Sequence, residues 1–422
     1  MRTWAFGLYL LFIGSWFLHL SFRVPALGTL RADLVLATVI AALILAGRGD
    51  EQHPNVGRDK STRRIVIAMG VYAIITLPFV EWPGSVLWFG IPAFAKALVF
   101  YFFTSELVDS ERRLRYLLFV FVACQTFRVL EPVYLHLTQG YWGSFASISG
   151  WEQMDRLAGA PSDVVNPNGL AFVILTVLPF LHYFGPLTRT GAIAYTGVLP
   201  ALIYALVLTG SRSGMLGLAI TTLAIWLQSS RKWVLGLLVV AGVAFSISNL
   251  SENLTDRYRS IISSDTRNAA TAQGRIAGTW QELSVAYRRP FFGHGLGTSL
   301  EANANFGGHA QPSHNLYVEV AQELGFVGLG LFLVFLLSLG RHLVRVLLDT
   351  RRIPHPRPMV NRLRQVLVVW LAMNLLFSLA SYGLSSYEWY FLAGLCDVLV
   401  RLAGRPAQMA QPNGAPQSSN AY

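Results

Sequence analysis

Charged residues are scarce in this chain. They make up 13% of its 422 residues, about half the roughly 25% of an ordinary soluble domain. Cysteine is scarcer still. Cys124 and Cys396 are the only two, and both fall inside apolar runs, which excludes a disulfide framework and a thiolate zinc site. No internal repeat is visible, which weighs against an inverted-repeat transporter. What the chain has instead is apolar surface: 53% hydrophobic and 13% aromatic residues, with a mean hydropathy of +0.47. This balance excludes a soluble enzyme, a disordered chain and a collagen-like fibre. It describes a polytopic membrane protein.

A spanning helix needs about 20 mostly apolar residues, because the hydrocarbon core is about 30 Å thick. Such runs lie at about 4–22, 33–47, 65–82, 84–104, 114–135, 168–184, 191–210, 214–229, 233–250, 315–340, 365–384 and 387–403. The expected fold is therefore all-α, with about twelve transmembrane helices. The first run is too long for a signal-peptide core, and Arg23-Val24-Pro25 follows it without a small-residue cleavage site, so it reads as a retained helix.

Most of the 33 basic residues crowd into one set of loops. That set holds Arg2, the run from Arg48 to Arg64, Arg112, Arg113, Arg115, Arg189, Arg231, Lys232, the arginines from Arg341 to Arg364, Arg401 and Arg405. Positive loops stay in the cytoplasm, so both termini are expected inside. The net charge of +11 is then a topology signal and not a nucleic-acid footprint. The expected organisation is a first group of helices over 1–135, an outer loop at 136–167, further helices over 168–250, a larger outer loop at 251–314, the last helices over 315–403, and a disordered polar tail at 404–422. Within the second loop, Ile276, Trp280, Leu283 and Tyr287 recur at helical spacing, predicting a surface helix over 274–288 that ends before Pro290.

Four polar motifs fall on the outer side. Thr209-Gly210-Ser211-Arg212-Ser213-Gly214 sits in a tight turn, where Ser211 or Ser213 can cap the next helix and Arg212 can grip a phosphate through two parallel hydrogen bonds. The bland alternative is an arginine snorkelling to lipid headgroups. Gln273-Gly274-Arg275-Ile276 begins the surface helix, and a cation there opposes the helix dipole, so a phosphate ligand would explain it. Gln311-Pro312-Ser313-His314-Asn315-Leu316-Tyr317 lies where the long loop re-enters the membrane. A neutral His314 at that helix start can act as a general base, or simply hydrogen-bond at the interface. Arg156-Leu157-Ala158-Gly159, followed by Asn166-Pro167-Asn168-Gly169-Leu170-Ala171, closes the first loop; Asn166 or Asn168 reads most simply as a cap, and Arg156 can help hold the same anion.

Weaker features complete the survey. Gly293-His294-Gly295-Leu296-Gly297 echoes a phosphate loop but opens no βα unit, so it is no nucleotide site. His294, His309 and His314 have no metal-ligand spacing, and no metal is expected. Lys96 lies mid-way along the fourth span, where a charge reads as functional. Arg128 and Glu131, three apart on the fifth span, are expected to pair with each other.

In their order along the chain, these motifs resemble the bacterial O-antigen ligase and O-antigen polymerase superfamily. The resemblance rests on Asn166 to Ala171, Thr209 to Gly214, Gly274-Arg275 through Trp280, Pro290 to Gly297, Ser313 to Tyr317, and Glu323-Leu324-Gly325-Phe326-Val327-Gly328. It implies a GT-C-like glycosyltransferase in the bacterial inner membrane with its site facing the periplasm. The donor it implies is an undecaprenyl-pyrophosphate-linked glycan. In the ligase branch, favoured here, the acceptor is the lipid A–core oligosaccharide of lipopolysaccharide, and no metal, cofactor or nucleotide sugar takes part. The superfamily's two arginines would correspond to Arg212 and Arg275, and its histidine to His314. Arg156, Asn168, Ser211, Ser213, Lys96, Asn315 and Tyr317 are the expected substrate contacts. The polymerase branch, a protein O-oligosaccharyltransferase and, from another class, a lipid-linked glycan flippase are the alternatives.

The charge pattern makes a prediction of its own. Single cysteines placed at 265 and 352 should react with an impermeant reagent from opposite sides of the membrane. Labelling of both from the outer side would overturn the placement of the loops.

Overall fold

The computed structural model describes residues 1–47, 60–149, 152–163, 165–229, 240, 258, 269–308, 310–352, 357–381 and 383–404. The main helices are α1 (Arg2–Phe17), α2 (Ala32–Ala46), α3 (Ser61–Ile75), α4 (Ile91–Leu107), α5 (Glu111–Gln139), α6 (Pro167–Phe184), α7 (Arg189–Leu208), α8 (Arg212–Gln228), α9 (Ala269–Ala286), α10 (Leu316–Arg352), α11 (Pro358–Phe377) and α12 (Tyr387–Ala403). Among the described residues, six helices are long and apolar enough to cross a membrane: Pro83–Leu107, Glu111–Gln139, Pro167–Leu187, Arg189–Leu208, Leu316–Asp349 and Pro358–Phe377. The apolar helix Ala32–Ala46 is shorter. The span expected at 233–250 lies outside the described residues; a helix occupies each of the others.

The last helix is the one the others surround. Trp389 to Cys396 of α12 are buried on every face, as expected for a helix apolar all round. Gly394 lets it approach α4 closely, for a Cβ there would lie 2.7 Å from Thr104 Cβ. Around it Phe17, Phe100, Phe121, Phe180, Trp370 and Phe391 pack edge-to-face or tilted, with ring centroids 4.9–6.2 Å apart. Such pairs add about 0.5–1.5 kcal/mol each beyond their area, and they fill the space between helices.

The structure corrects the expected fold in several places. The first outer loop is not all helix and coil: Gly143–Ser149 (β1) and Glu152–Leu157 (β2) form an antiparallel hairpin, with Ser144 opposite Arg156. The surface helix starts earlier than predicted, at Ala269. Helix α10 is broken at Gly325, whose φ of 67° a side chain would resist, and it runs on to Arg352. Helix α11 begins at Pro358, because Arg362 and Arg364 sit within its first turns, where a pure hydropathy reading places loop.

Two ends of the bundle differ in chemistry. At one end Arg63 meets Glu106, Arg401 donates to the carbonyls of Ser105 and Val108, and Arg357 donates to that of Leu402. This is the end whose loops hold the crowded arginines. At the other end lie the hairpin, the starts of α6, α8, α10 and α12, and the segment 290–299. There the glycine run Gly293–Gly297 is a packing device. A Cβ on Gly90 would fall 2.0 Å from the Leu296 carbonyl oxygen, and one on Gly297 2.8 Å from Gly90 Cα. Gly90→Ala should therefore cost about 1–3 kcal/mol and lower the thermal unfolding temperature in detergent. Gly84→Ala, whose Cβ meets nothing within 4 Å, should be silent in the same assay.

Candidate functional site

The turn between α7 and α8 is held from three directions. Gly210 turns the chain with a φ of 58°, and Ser211 caps α8 by accepting from the Gly214 amide at 3.1 Å. The carbonyl of Thr209 accepts from Arg156 Nε at 2.8 Å, and Arg156 Nη2 donates to Asn168 Oδ1 at 3.0 Å. Arg156 is buried in β2. It thus ties the hairpin, the first turn of α6 and the Thr209 turn together. Asn166 caps α6 at 2.8 Å from the Gly169 amide. Two motifs that lie far apart in sequence are one polar cluster in space. Arg212 is the first residue of α8, half-buried, in a first turn with no acidic residue to offset its charge.

The re-entry at 313–317 is fixed in the same way. Asn315 Oδ1 accepts from the amides of Tyr317 and Val318 at 3.0 and 3.3 Å, which caps α10. Ser313 Oγ donates to Glu282 Oε2 of α9 at 2.7 Å. Gln322 Nε2 donates both to the Glu282 carbonyl at 2.9 Å and to Asn303 Oδ1 at 2.7 Å. These bonds dock the surface helix onto the start of α10. Tyr317 Oη donates to the Leu375 carbonyl at 2.9 Å, and the Leu316 amide donates to Ser378 at 2.9 Å. His314, half-buried, sits between these anchors.

The two clusters meet at the end of α11. Gly217, just over one turn after Arg212, has its Cβ direction 3.5 Å from the Phe377 ring, and Phe172 of α6 lies 4.8 Å from that ring by centroids. The next residue, Ser378, receives the Leu316 amide. Phe377–Ser378 therefore neighbours α8 at Gly217, beyond the Arg212 turn, and the His314 segment at Leu316. Arg275 lies within α9, two turns before Glu282, but its side chain is outside the described residues. Lys96 stands apart from this group, exposed on α4. Ser213 is half-buried beside Arg212.

Sequence reasoning misses several of the supports. Arg128 does not pair with Glu131. Its Nε and Nη2 meet Asp163 at 2.6 and 2.9 Å, and its Nη1 donates to Gln125 at 2.8 Å, while Glu131 pairs with Arg23. Arg128 and Asp163 are both buried, so the loop aspartate gives the inward-facing guanidinium the partner that burial demands. Glu323 is likewise an anchor, accepting from the Gly297 amide at 2.8 Å and the Ser299 amide at 3.3 Å. His294 is enclosed by Trp82 and Phe306, with Nε2 3.0 Å from the Val285 carbonyl. Burial holds its imidazole below the usual histidine range. Glu282 shows in sequence only as an acid on the predicted surface helix.

Fold and sequence together define a mostly helical, polytopic membrane protein with its polar hairpin and loops gathered at one end of the bundle. Residues 197–333, which carry Arg212, Arg275 and His314, match the family model for O-Antigen ligase, which supports the O-antigen ligase superfamily for this segment. No curated protein matches the chain.

The buried pair under the hairpin is open to test. Arg128→Met should strand Asp163 and cost about 3–5 kcal/mol, whereas Arg128→Met with Asp163→Leu should recover most of that loss. Thermal unfolding of the purified variants in one detergent reads the difference. Equal loss in the single and double variants would mean that the pair is not coupled.

Proposed function

We propose that this protein is an O-antigen ligase: a GT-C-like glycosyltransferase with about twelve crossings, both termini in the cytoplasm, and its site on the periplasmic face of a bacterial inner membrane. It transfers a glycan from undecaprenyl pyrophosphate to a hydroxyl of the lipid A–core oligosaccharide. The observation that supports this reading is that α8, at Gly217 little more than a turn past Arg212, and the His314 segment, at Leu316, both reach the end of α11 at Phe377–Ser378. Helix α9, which bears Arg275, is tied to the His314 segment by the bond from Ser313 to Glu282.

The chemistry follows from those residues. His314, neutral, accepts the proton of the acceptor hydroxyl. The freed oxygen attacks the anomeric carbon opposite the leaving group, the bond from that carbon to the pyrophosphate oxygen breaks, and its electron pair stays with the pyrophosphate. The anomeric configuration inverts. Charge grows on the leaving group as the bond breaks, and the guanidiniums of Arg212 and Arg275 offset it. They take the role a divalent metal has elsewhere, so the reaction needs no metal or cofactor. Arg156, Asn168, Ser211, Asn315 and Tyr317 serve by holding the frame around these groups. In this reading 136–167 and 251–314 frame the sugars, and the helices of 168–250 and 315–403 flank the donor's tail.

Two variants separate the roles. His314→Ala should lower the transfer rate by about 10²–10⁴-fold with donor affinity nearly intact. Arg212→Lys should weaken donor binding, because a point charge does not reproduce a planar fork. Donor affinity and transfer rate are measured in the same membranes. An alanine variant that loses donor binding but transfers normally at saturating donor would make the histidine a ligand and not the base. The product reports the branch: a glycan moved whole onto lipid A–core is ligation, whereas a lengthened glycan still on its polyprenyl carrier is polymerisation.

A further inference from the structure

A groove of about 950 Å³ runs between α10 and α11. That is the upper end of the roughly 300–1,000 Å³ usual for small-molecule sites. Its walls are Leu333, Leu337, Val344 and Leu348 of α10 with Leu371 and Leu375 of α11, and Tyr317 closes it toward the start of α10. From Leu333 to Leu348 it follows about 22 Å of helix, more than the roughly 15 Å depth of one leaflet. The mouth is of different chemistry: Arg341 and Arg345, one turn apart and both exposed, line it together with Asp349. Arg345 Nε is 3.9 Å from the Asp349 carboxylate, so the three groups together carry one net positive charge.

The mouth lies at the arginine-rich end of the bundle. Ser338, one turn before it, is 3.1 Å from Thr62 in the first turn of α3, and the neighbouring Arg63 pairs with Glu106 at 2.7 Å. The groove is thus an apolar slot with two cations along its inner half, between Gly340 and Asp349. Basic pockets between helices on that side of a membrane hold anionic lipid heads, and the guanidinium fork matches phosphate oxygens.

We propose that this groove binds one anionic phospholipid, with an acyl chain between α10 and α11 and the phosphate against Arg341 and Arg345. The arrangement selects this occupant over others. A soluble phosphate has no use for the leucine walls. A polyprenyl donor whose pyrophosphate sits at the opposite end, by Arg212, brings no anion to these arginines. A zwitterionic lipid offers the phosphate but cancels it with its own cation.

The test uses the full-length protein in detergent micelles and native mass spectrometry. Phosphatidylglycerol should bind as a single tight copy and phosphatidylcholine should not. Arg341→Gln with Arg345→Gln should weaken phosphatidylglycerol by roughly 30-fold, given about 1 kcal/mol for each interfacial arginine. Leu337→Trp with Val344→Trp fills the slot, leaves the arginines in place, and should abolish the tight copy; this variant decides the question if the glutamine variant fails to fold. Inorganic phosphate should not compete. Equal affinity for the two lipids, unchanged binding in either double variant, competition by inorganic phosphate, or one-for-one displacement by undecaprenyl pyrophosphate would each overturn the proposal. Both double variants leave Arg212 and His314 unchanged, so lipid binding and the transfer defects of the Arg212 and His314 variants are read in separate measurements.

Discussion

A membrane offers a backbone no hydrogen-bond partners, so non-helical chain survives at depth only where protein supplies them. That constraint explains the outer end of this bundle. Helices satisfy themselves, but the turn at Thr209, the break at Gly325 and the returns at 293–299 and 383–384 do not. Each is met by a particular side chain. Arg156 takes the Thr209 carbonyl, Tyr72 takes those of Phe291 and Leu324, Glu323 takes the amides of Gly297 and Ser299, and Glu319 takes those of Gly383 and Leu384. Few acids lie within the spans, and these two are spent on backbone. They are anchors for loops.

The same accounting separates the arginines by role. Arg128 and Arg156 are buried and have carboxylate, amide or carbonyl partners within the protein. Neither can give up those bonds to a substrate without leaving a buried group unpaired, which costs several kcal/mol. Arg212 is different in position: it is half-buried at a helix start, where the dipole already favours an anion and a cation is otherwise misplaced. The buried arginines hold the loop; the half-buried one stands at the helix start that the loop frames.

Much of this was legible in the sequence, for identifiable reasons. Hydropathy is a one-dimensional signal, and helices fall on the expected spans that the structure describes. Caps are local, so Asn166, Ser211 and Asn315 could be named as candidates from their neighbours alone. Tertiary facts were not legible. Asp163 is 35 residues from Arg128, and nothing local favours it over Glu131, which sits one turn away. The glycines of 293–297 looked like a phosphate loop because both uses need the same thing, a backbone without side chains. Only the contact with Gly90 shows which surface approaches. The hairpin escaped because its strands are short and stand between two long apolar runs that dominate any window.

The broken helix α10 joins these threads. Its outer part, from Leu316 to Gly325, carries Tyr317, Glu319, Gln322 and Glu323, each bonded to a different loop or helix end. Beyond the break it turns apolar and lines the groove against α11. A straight helix of this length would have to choose between the two tasks, because a polar stripe fit for the loops would continue into the hydrocarbon. Gly325 removes the choice. At its φ of 67° the chain changes direction, the Phe326 amide finds the Pro290 carbonyl at 2.7 Å, and the outer segment is free to follow the loops while the inner one follows the bundle. The segment that presents His314 is thus positioned by the loops it touches and, through Leu316 and Tyr317, by the end of α11.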